Sequence, residues 1–235
     1  MRHDIFSHLV AEDSDSGAVF TRTQMLANTY VIIIGGTDTA AATITALFTE
    51  LAKNPDVQSA LHDELRAAFS SVEEVTVEAI KTLPYLNACI DETLRLWPAV
   101  PGGARYCTPA GGVTIDGTYI PGLVGAKTSP ELLMRDPRYF VDGPQYIPER
   151  WTSRPELVKD RRAFIPFSYG PHSCVGKALA MNELRLAVGR IVYGFEVRKG
   201  EGWSEEKWRG GWKDYFTVKP GEARLRFIKR SEVAS

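Results

Sequence analysis

An apolar stretch in the first quarter of the chain is its longest patterned segment. Residues 23–54 follow a helical period, and their centre, residues 30–40, is apolar nearly all round, which predicts a long buried helix. Asp38, Glu50 and several threonines interrupt the apolar run well short of the about 18 residues that a membrane-spanning helix needs. The pattern therefore predicts a core helix and not a transmembrane span.

Shorter periodic segments follow the long helix. A second apolar helix ends before Pro98, because proline cannot continue a helix, and the next residues lead into a strand at Arg105. Asp116 and Gly117, between two alternating segments, predict a β-hairpin. Alternation in the last fifth of the chain predicts further strands. The predicted fold class is therefore mainly α with small β-sheets, an α+β protein.

The composition narrows the class of protein. With 235 residues, 44% of them hydrophobic, and a net charge of −1, the chain is long enough for a sizeable core and offers no electrostatic case for binding nucleic acid. Three cysteines without framework spacing indicate a reducing compartment. Because no signal peptide or anchor is visible, the sequence predicts a cytoplasmic protein with a single domain over residues 1–235.

A cysteine on a glycine-containing loop gives the strongest chemical signal. Residues 167–176 read Phe-Ser-Tyr-Gly-Pro-His-Ser-Cys-Val-Gly and place Cys174 just before an amphipathic helix. The partial positive charge at a helix N-terminus favours a thiolate, which can ligate a metal. Gly170 and Gly176 allow a sharp turn and the close approach of a flat ligand. The pattern thus predicts a thiolate metal ligand at Cys174.

Other interpretations of Cys174 have to be weighed. A lone cysteine is often a small buried hydrophobe. A zinc site is disfavoured because Cys89, Cys107 and Cys174 form no close-spaced pair. A phosphate-binding loop would need serine or threonine after Lys177, where alanine stands. A cysteine nucleophile using His172, two residues away, would have poor geometry.

A charged pair lies in the second helix. Glu92 and Arg95 stand at i and i+3 on one face, among apolar neighbours. If the pair is buried, a further partner must offset its desolvation, and Arg150 in the segment Tyr-Ile-Pro-Glu-Arg-Trp offers one. The alternative is a solvated surface pair that stabilises by about 0.2–0.5 kcal/mol.

The centre of the long helix contains residues that disfavour a helix. Gly35 and Gly36 cost up to about 1 kcal/mol each relative to alanine, and Asp38 and Thr39 follow in the predicted core. Residues that lower the stability of a helix in this way are typical of a functional site. The alternative is a helix crossing in which Asp38 caps a kink.

These motifs, in this order, resemble the cytochrome P-450 superfamily of haem-thiolate monooxygenases. The chain most resembles the microsomal-type enzymes of fungal secondary metabolism, over about residues 2–230. The resemblance covers only the C-terminal half of that fold, so the domain is predicted to be a truncated one. It implies haem b as the cofactor, with Cys174 as the axial iron ligand whose electron donation favours O–O cleavage.

The resemblance also implies which residues surround the haem. Phe167, Gly170 and Gly176 belong to the cofactor-binding loop with the cysteine. Arg105 would pair with a haem propionate, and a surface strand arginine is the alternative. His172 stands where the family usually has arginine for the other propionate, and it can donate one hydrogen bond and is charged only below about pH 6.5.

Roles away from the loop follow from the same resemblance. On the distal face of the haem, Thr39 would help deliver protons to dioxygen, with Asp38 relaying them from water. Glu92, Arg95 and Arg150 would form a structural triad behind the haem loop.

Residues 124–136 depart from the family pattern. Lys127 and Glu131 fall among positions where apolar residues are expected, and Met134 stands where a histidine usually precedes Arg-Asp. These departures bear on local packing and leave the resemblance intact.

The function divides into three hypotheses. The first is a monooxygenase that oxidises a hydrophobic small molecule with electrons from an NADPH-dependent reductase, its full-length relatives lying at the endoplasmic reticulum membrane. The second is a truncated family member with a non-redox role, as a binding scaffold or as a cyclase or isomerase. The third is an inactive fragment, so whether the chain is an enzyme stays open.

The truncation carries two expectations of its own. Half of a fold would expose apolar faces of the long helix, which predicts self-association or a complementing partner. The isolated chain is not expected to sustain reductase-driven oxidation.

Overall fold

The computed structural model describes Ser7 and residues 19–230. The chain divides into two compact units, Met1–Asp38 and Thr39–Ser235, and the boundary falls within the first described helix. The single domain over residues 1–235 stays a prediction.

The long helix α1 spans Arg22–Lys53, within one residue of the predicted bounds at each end. Its buried residues begin at Ala40, whereas Tyr30 and Val31 are 66% and 70% exposed. The prediction that this helix is buried along its length is therefore wrong for its N-terminal half. Exposed apolar residues do occur there, and self-association through them stays a prediction.

The transmembrane question also needs a correction. By length and apolar composition, α1 could cross a membrane, and 33% of its most apolar window is buried. A core helix of a soluble protein passes the same test, so this is weak support for a span. The argument that charges and threonines rule out a span is too strong, and the cytoplasmic location stays a prediction.

Helices supply most of the core of the second unit. Leu47 of α1, Leu61, Leu86, Ile90 and Val188 are fully buried in one cluster. Proline at the first turn suits the starts of three helices, because its missing N–H would have no intrahelical partner there. In the part of the chain that the structure describes, six α-helices follow α1: α2 Pro55–Ala68, α3 Val77–Ile80, α4 Pro84–Leu96, α5 Pro130–Leu133, α6 Lys177–Gly194 and α7 Glu205–Gly210.

Antiparallel strand pairs complete the described fold. The predicted hairpin turns at Asp116 and Gly117, with φ of 46° and 74°, as a tight turn between paired strands requires. Together with the helices, these pairs confirm a mainly α fold with small sheets. The pairs are β1 Arg105–Cys107 with β4 Gly125–Lys127, β2 Val113–Ile115 with β3 Thr118–Ile120, β5 Phe195–Lys199 with β8 Leu225–Lys229, and β6 Lys213–Tyr215 with β7 Thr217–Lys219.

A smaller aromatic cluster joins α7 to the C-terminal end of α1. Trp97 and Trp208 are buried with ring centroids 5.2 Å apart. Trp97 Nε1 donates to the buried Glu50 Oε1 at 3.0 Å, and Lys53 Nζ lies 3.1 Å from both Glu50 and Glu205. Glu50 is therefore a buried hydrogen-bond acceptor in the core.

Candidate functional site

Backbone hydrogen bonds close the loop that carries Cys174. Cys174 N donates to Phe167 O at 2.8 Å, and Ser173 N donates to Gly170 O at 3.0 Å. Gly170 has a φ of +79°, a left-handed conformation that glycine adopts without steric cost, and it begins the 3₁₀ turn Gly170–His172. The loop therefore presents the cysteine at a defined position just before α6.

The Cys174 side chain is exposed and its thiol is free. This exposure contradicts the alternative of a small buried hydrophobe. Cys174 lies three residues before Lys177, the first residue of α6. Among the described residues, no group of three or more His, Cys, Asp or Glu side chains could hold a metal ion.

The surface around the thiol suits a flat, apolar group. Tyr169, earlier on the same loop, is 85% exposed, and Val175, directly after the cysteine, is 103% exposed. A Cβ added at Gly176 would approach only the Cys174 sulfur, at 3.8 Å, and one added at Gly170 would meet no described atom within 4 Å. A single thiol with open space and apolar neighbours fits a haem held through one cysteine sulfur.

Phe167 and α6 connect this loop to the core. The partly buried Phe167 packs against the main cluster, and Lys177 Nζ lies 5.7 Å from its ring centroid. On α6, Leu184, Val188 and Val192 are buried in that same cluster. The loop is therefore supported from both of its ends.

The structure brings Glu92, Arg95 and Arg150 together, with all three side chains fully buried. Glu92 Oε1 accepts from Arg95 Nη2 at 2.8 Å and from Arg150 Nε at 2.9 Å, and its Oε2 accepts from Arg95 Nε at 2.8 Å. Ile147 N and Trp151 Nε1 add two donors to the same carboxylate, at 2.8 and 3.0 Å. The alternative of a solvated surface pair is contradicted.

The remaining guanidinium nitrogens bind backbone carbonyls. Arg95 Nη1 donates to Met134 O at 2.8 Å and to Gly143 O at 2.7 Å. Arg150 Nη1 donates to Val141 O at 2.9 Å. The Arg95 bonds fasten the irregular segment to α4, and the Arg150 bond links two parts of that segment, so the arrangement is structural rather than reactive.

Burial and the neighbouring carboxylate shift the pKa of a buried arginine in opposite directions. Burial lowers the pKa of Arg150, while the carboxylate of Glu92 raises it and Arg95 lowers it further. A buried guanidinium keeps its charge because the pKa of arginine starts far above neutrality. The counter-charge of Glu92 is therefore what makes the burial of two cations tolerable.

Asp91 is a partly buried acid for which the sequence analysis proposes no role. Burial raises the pKa of its carboxyl to about 6, against the lowering effects of Arg161, Arg185 and Lys177. Because the folded pKa exceeds the ordinary value of 3.8, ionisation of Asp91 opposes folding, and its contribution to stability is lost as the pH rises from about 4 to 6. In the sequence, only the position of Asp91 in an apolar helix could have indicated its raised pKa.

Asp38 and Thr39 are neighbours on α1, at the boundary between the two units. The helix continues through Gly35 and Gly36 without an interruption. Thr43 Oγ1 donates to Thr39 O at 2.9 Å, so a threonine does bond the carbonyl four residues earlier at this point. The catalytic roles of Asp38 and Thr39 stay predictions.

Arg105 begins β1, as predicted, and its side chain is exposed. The ring centroids of Tyr106 and His172 lie 6.2 Å apart, so β1 runs beside the Cys174 loop. Arg105 and His172 are thus presented by adjacent segments. The alternative of a surface strand arginine at Arg105 stays open at this point.

The sequence model of the cytochrome P-450 family matches residues 2–227. The chain therefore belongs to the cytochrome P-450 family, and the resemblance carried by its motifs is confirmed.

Several fungal proteins are similar to this chain. The cytochrome P-450 monooxygenase orf5 of Eupenicillium brefeldianum is 42% identical over 86% of the chain and 41% of the relative. The monooxygenase FCK2 of Fusarium pseudograminearum is 34% identical over 97% of the chain and 42% of the relative. Tryprostatin B 6-hydroxylase of Aspergillus fumigatus is 34% identical over 92% and 39%. The chain spans about two fifths of the length of these curated relatives.

Proposed function

We propose that this chain provides the haem-binding part of a cytochrome P-450 monooxygenase that oxidises a hydrophobic small molecule in secondary metabolism. The observation that carries the proposal is the exposed Cys174 thiol on a glycine-containing loop. The similarity of the chain to fungal monooxygenases and to a hydroxylase supports oxidation as the class of reaction.

Several residues would hold the haem, each through a different contact. Cys174 would bind the haem iron through its sulfur, and Gly170 and Gly176 would leave room for the flat ring. Arg105 and His172 would face the propionates, each with a side-chain hydrogen-bond donor. When bound, the haem supplies the oxidative chemistry, activating dioxygen with electrons that NADPH provides through a separate reductase.

A carbon monoxide spectrum tests this function. The purified chain, reconstituted with haem and reduced under carbon monoxide, should show a thiolate-type Soret band. A chain that binds no haem, or that gives only an imidazole-type band, would contradict the proposal and favour the non-redox or inactive hypotheses.

Thr39 and Asp38 are proposed to handle protons. In a protein that turns over, Thr39→Ala should preserve haem binding but lower product formed per NADPH by about tenfold or more, because proton delivery to dioxygen loses a hydroxyl. Peroxide should account for the missing electrons. Thr45→Ala, on the same helix, serves as the control. Equal product per NADPH in the parent and the Thr39 variant would remove Thr39 from the mechanism.

A further inference from the structure

A row of apolar side chains lies on the N-terminal half of α1. Leu26, Tyr30 and Ile34 are spaced four residues apart, and each is more than half exposed. Ile33, beside Tyr30 on the same face, is also more than half exposed. Side chains four residues apart are neighbours on a helix, so they form a continuous ridge. Contiguous apolar surface of this kind is typical of an interaction site.

Opposite charges stand at the two ends of this row. Arg22, the first residue of α1, lies four residues before Leu26, and Asp38 lies four residues after Ile34. Both charged residues are exposed. A rise of about 1.5 Å per residue puts them about 24 Å apart along the helix, with Tyr30 midway. The Arg22–Asp38 ridge, made of these five residues, is therefore positive at one end, apolar in the middle and negative at the other.

This order of charges is complementary to a second copy of the same ridge in the antiparallel direction. A two-fold axis beside Tyr30 brings Leu26 of one copy to Ile34 of the other. The same axis brings Arg22 of each copy to Asp38 of the other, so a pair of opposite charges closes each end of the contact. A parallel pair of helices would instead place like charges together at both ends.

We propose that two copies of this chain associate through the Arg22–Asp38 ridge as an antiparallel helix pair. All five residues lie in the first compact unit, Met1–Asp38, so the contact requires no particular arrangement of the two units. It requires no haem either, so its failure would leave the proposed function standing. One helix from each copy gives a contact at the small end of protein interfaces, and the dimer should be reversible, with a dissociation constant of about 1–100 μM.

Sedimentation velocity, over concentrations that bracket this constant, measures the association and tests Tyr30. Tyr30→Glu should weaken dimerisation about a hundredfold, because it removes the central aromatic contact and sets two carboxylates side by side at the axis. Val31→Glu is the matched control, since Val31 is exposed on the same helix but lies about 100° round it from Tyr30. That variant should dimerise like the parent. Far-UV circular dichroism of both variants checks that the fold is kept.

An exchange of charges tests the antiparallel direction. Arg22→Glu and Asp38→Arg should each raise the dissociation constant about tenfold, because each places like charges together at both ends of the contact. The double variant, Arg22→Glu with Asp38→Arg, should return it to the parent value. High salt should reduce the differences between the variants. Failure of the double variant to recover dimerisation would overturn the antiparallel arrangement.

Other results would overturn the inference as a whole. A chain that stays monomeric at every concentration would do so, and so would a dimer that Tyr30→Glu and Val31→Glu weaken equally or not at all. Membrane binding is the competing use of this surface, because α1 is long and apolar enough to cross a membrane. A monomeric chain that sediments with phosphatidylcholine vesicles, and that both glutamate variants release, would assign the surface to lipid instead.

Discussion

A Glu92→Ala variant is expected to lose about 3–5 kcal/mol of unfolding free energy. The side chains of Glu92, Arg95 and Arg150 are all fully buried, so the substitution leaves two guanidinium groups in the core without their counter-charge. A domain has a total stability of about 5–15 kcal/mol, so the variant would fold marginally at room temperature. Urea unfolding, followed by tryptophan fluorescence, measures the loss.

Two other variants serve as comparisons, one at an exposed ion pair and one that removes only the charge of Glu92. Glu78→Ala removes the acid from an exposed i,i+3 pair with Lys81 and should leave the urea midpoint nearly unchanged. Glu92→Gln keeps one acceptor oxygen but removes the charge, so its midpoint should fall between the parent and Glu92→Ala. A Glu92→Ala midpoint as close to the parent as that of Glu78→Ala would show that the buried network does not hold the fold.

The Glu92 network could be predicted only in part. Helical spacing links Glu92 to Arg95, and the cost of burying an ion pair calls for a third partner such as Arg150. The donors Ile147 N and Trp151 Nε1 lie on a non-periodic segment, whose path depends on tertiary contacts. Sequence patterns contain no signal for such bonds.

The strand pairs show the same limit. The Asp116–Gly117 turn is a local signal, and the strands on either side of it pair as predicted. The register that opposes Arg105 to Lys127 encloses that hairpin and depends on how the intervening loops pack. The sequence therefore marked Lys127 as unusual without revealing its neighbour.

Burial of α1 was predictable for one half of the helix only. An apolar period identifies which faces avoid water, but it does not show whether another part of the chain covers them. From Ala40 onward the second unit contributes that cover, whereas Tyr30 and Val31 are exposed.

Cys174→Ala is expected to abolish the thiolate-type Soret band of the reconstituted chain completely. Cys174 is the cysteine on the glycine-containing loop, and alanine offers no atom that can ligate iron. Because the side chain is exposed, its loss removes no core contact, and the urea midpoint should stay that of the parent. The carbon monoxide spectrum and the unfolding curve, measured on the same preparation, separate lost ligation from lost folding.

Cys107→Ala is the matched control, because Cys107 is also an exposed, free cysteine and lies on β1 near the same loop. That variant should keep the thiolate band, since a thiol on the strand lacks the helix N-terminus and the turn that present Cys174. Cys89 is buried, and burial raises the pKa of its thiol, so it cannot substitute as a thiolate. An unchanged thiolate band in Cys174→Ala, with its loss in Cys107→Ala, would transfer the ligand role to the strand and refute the assignment of Cys174.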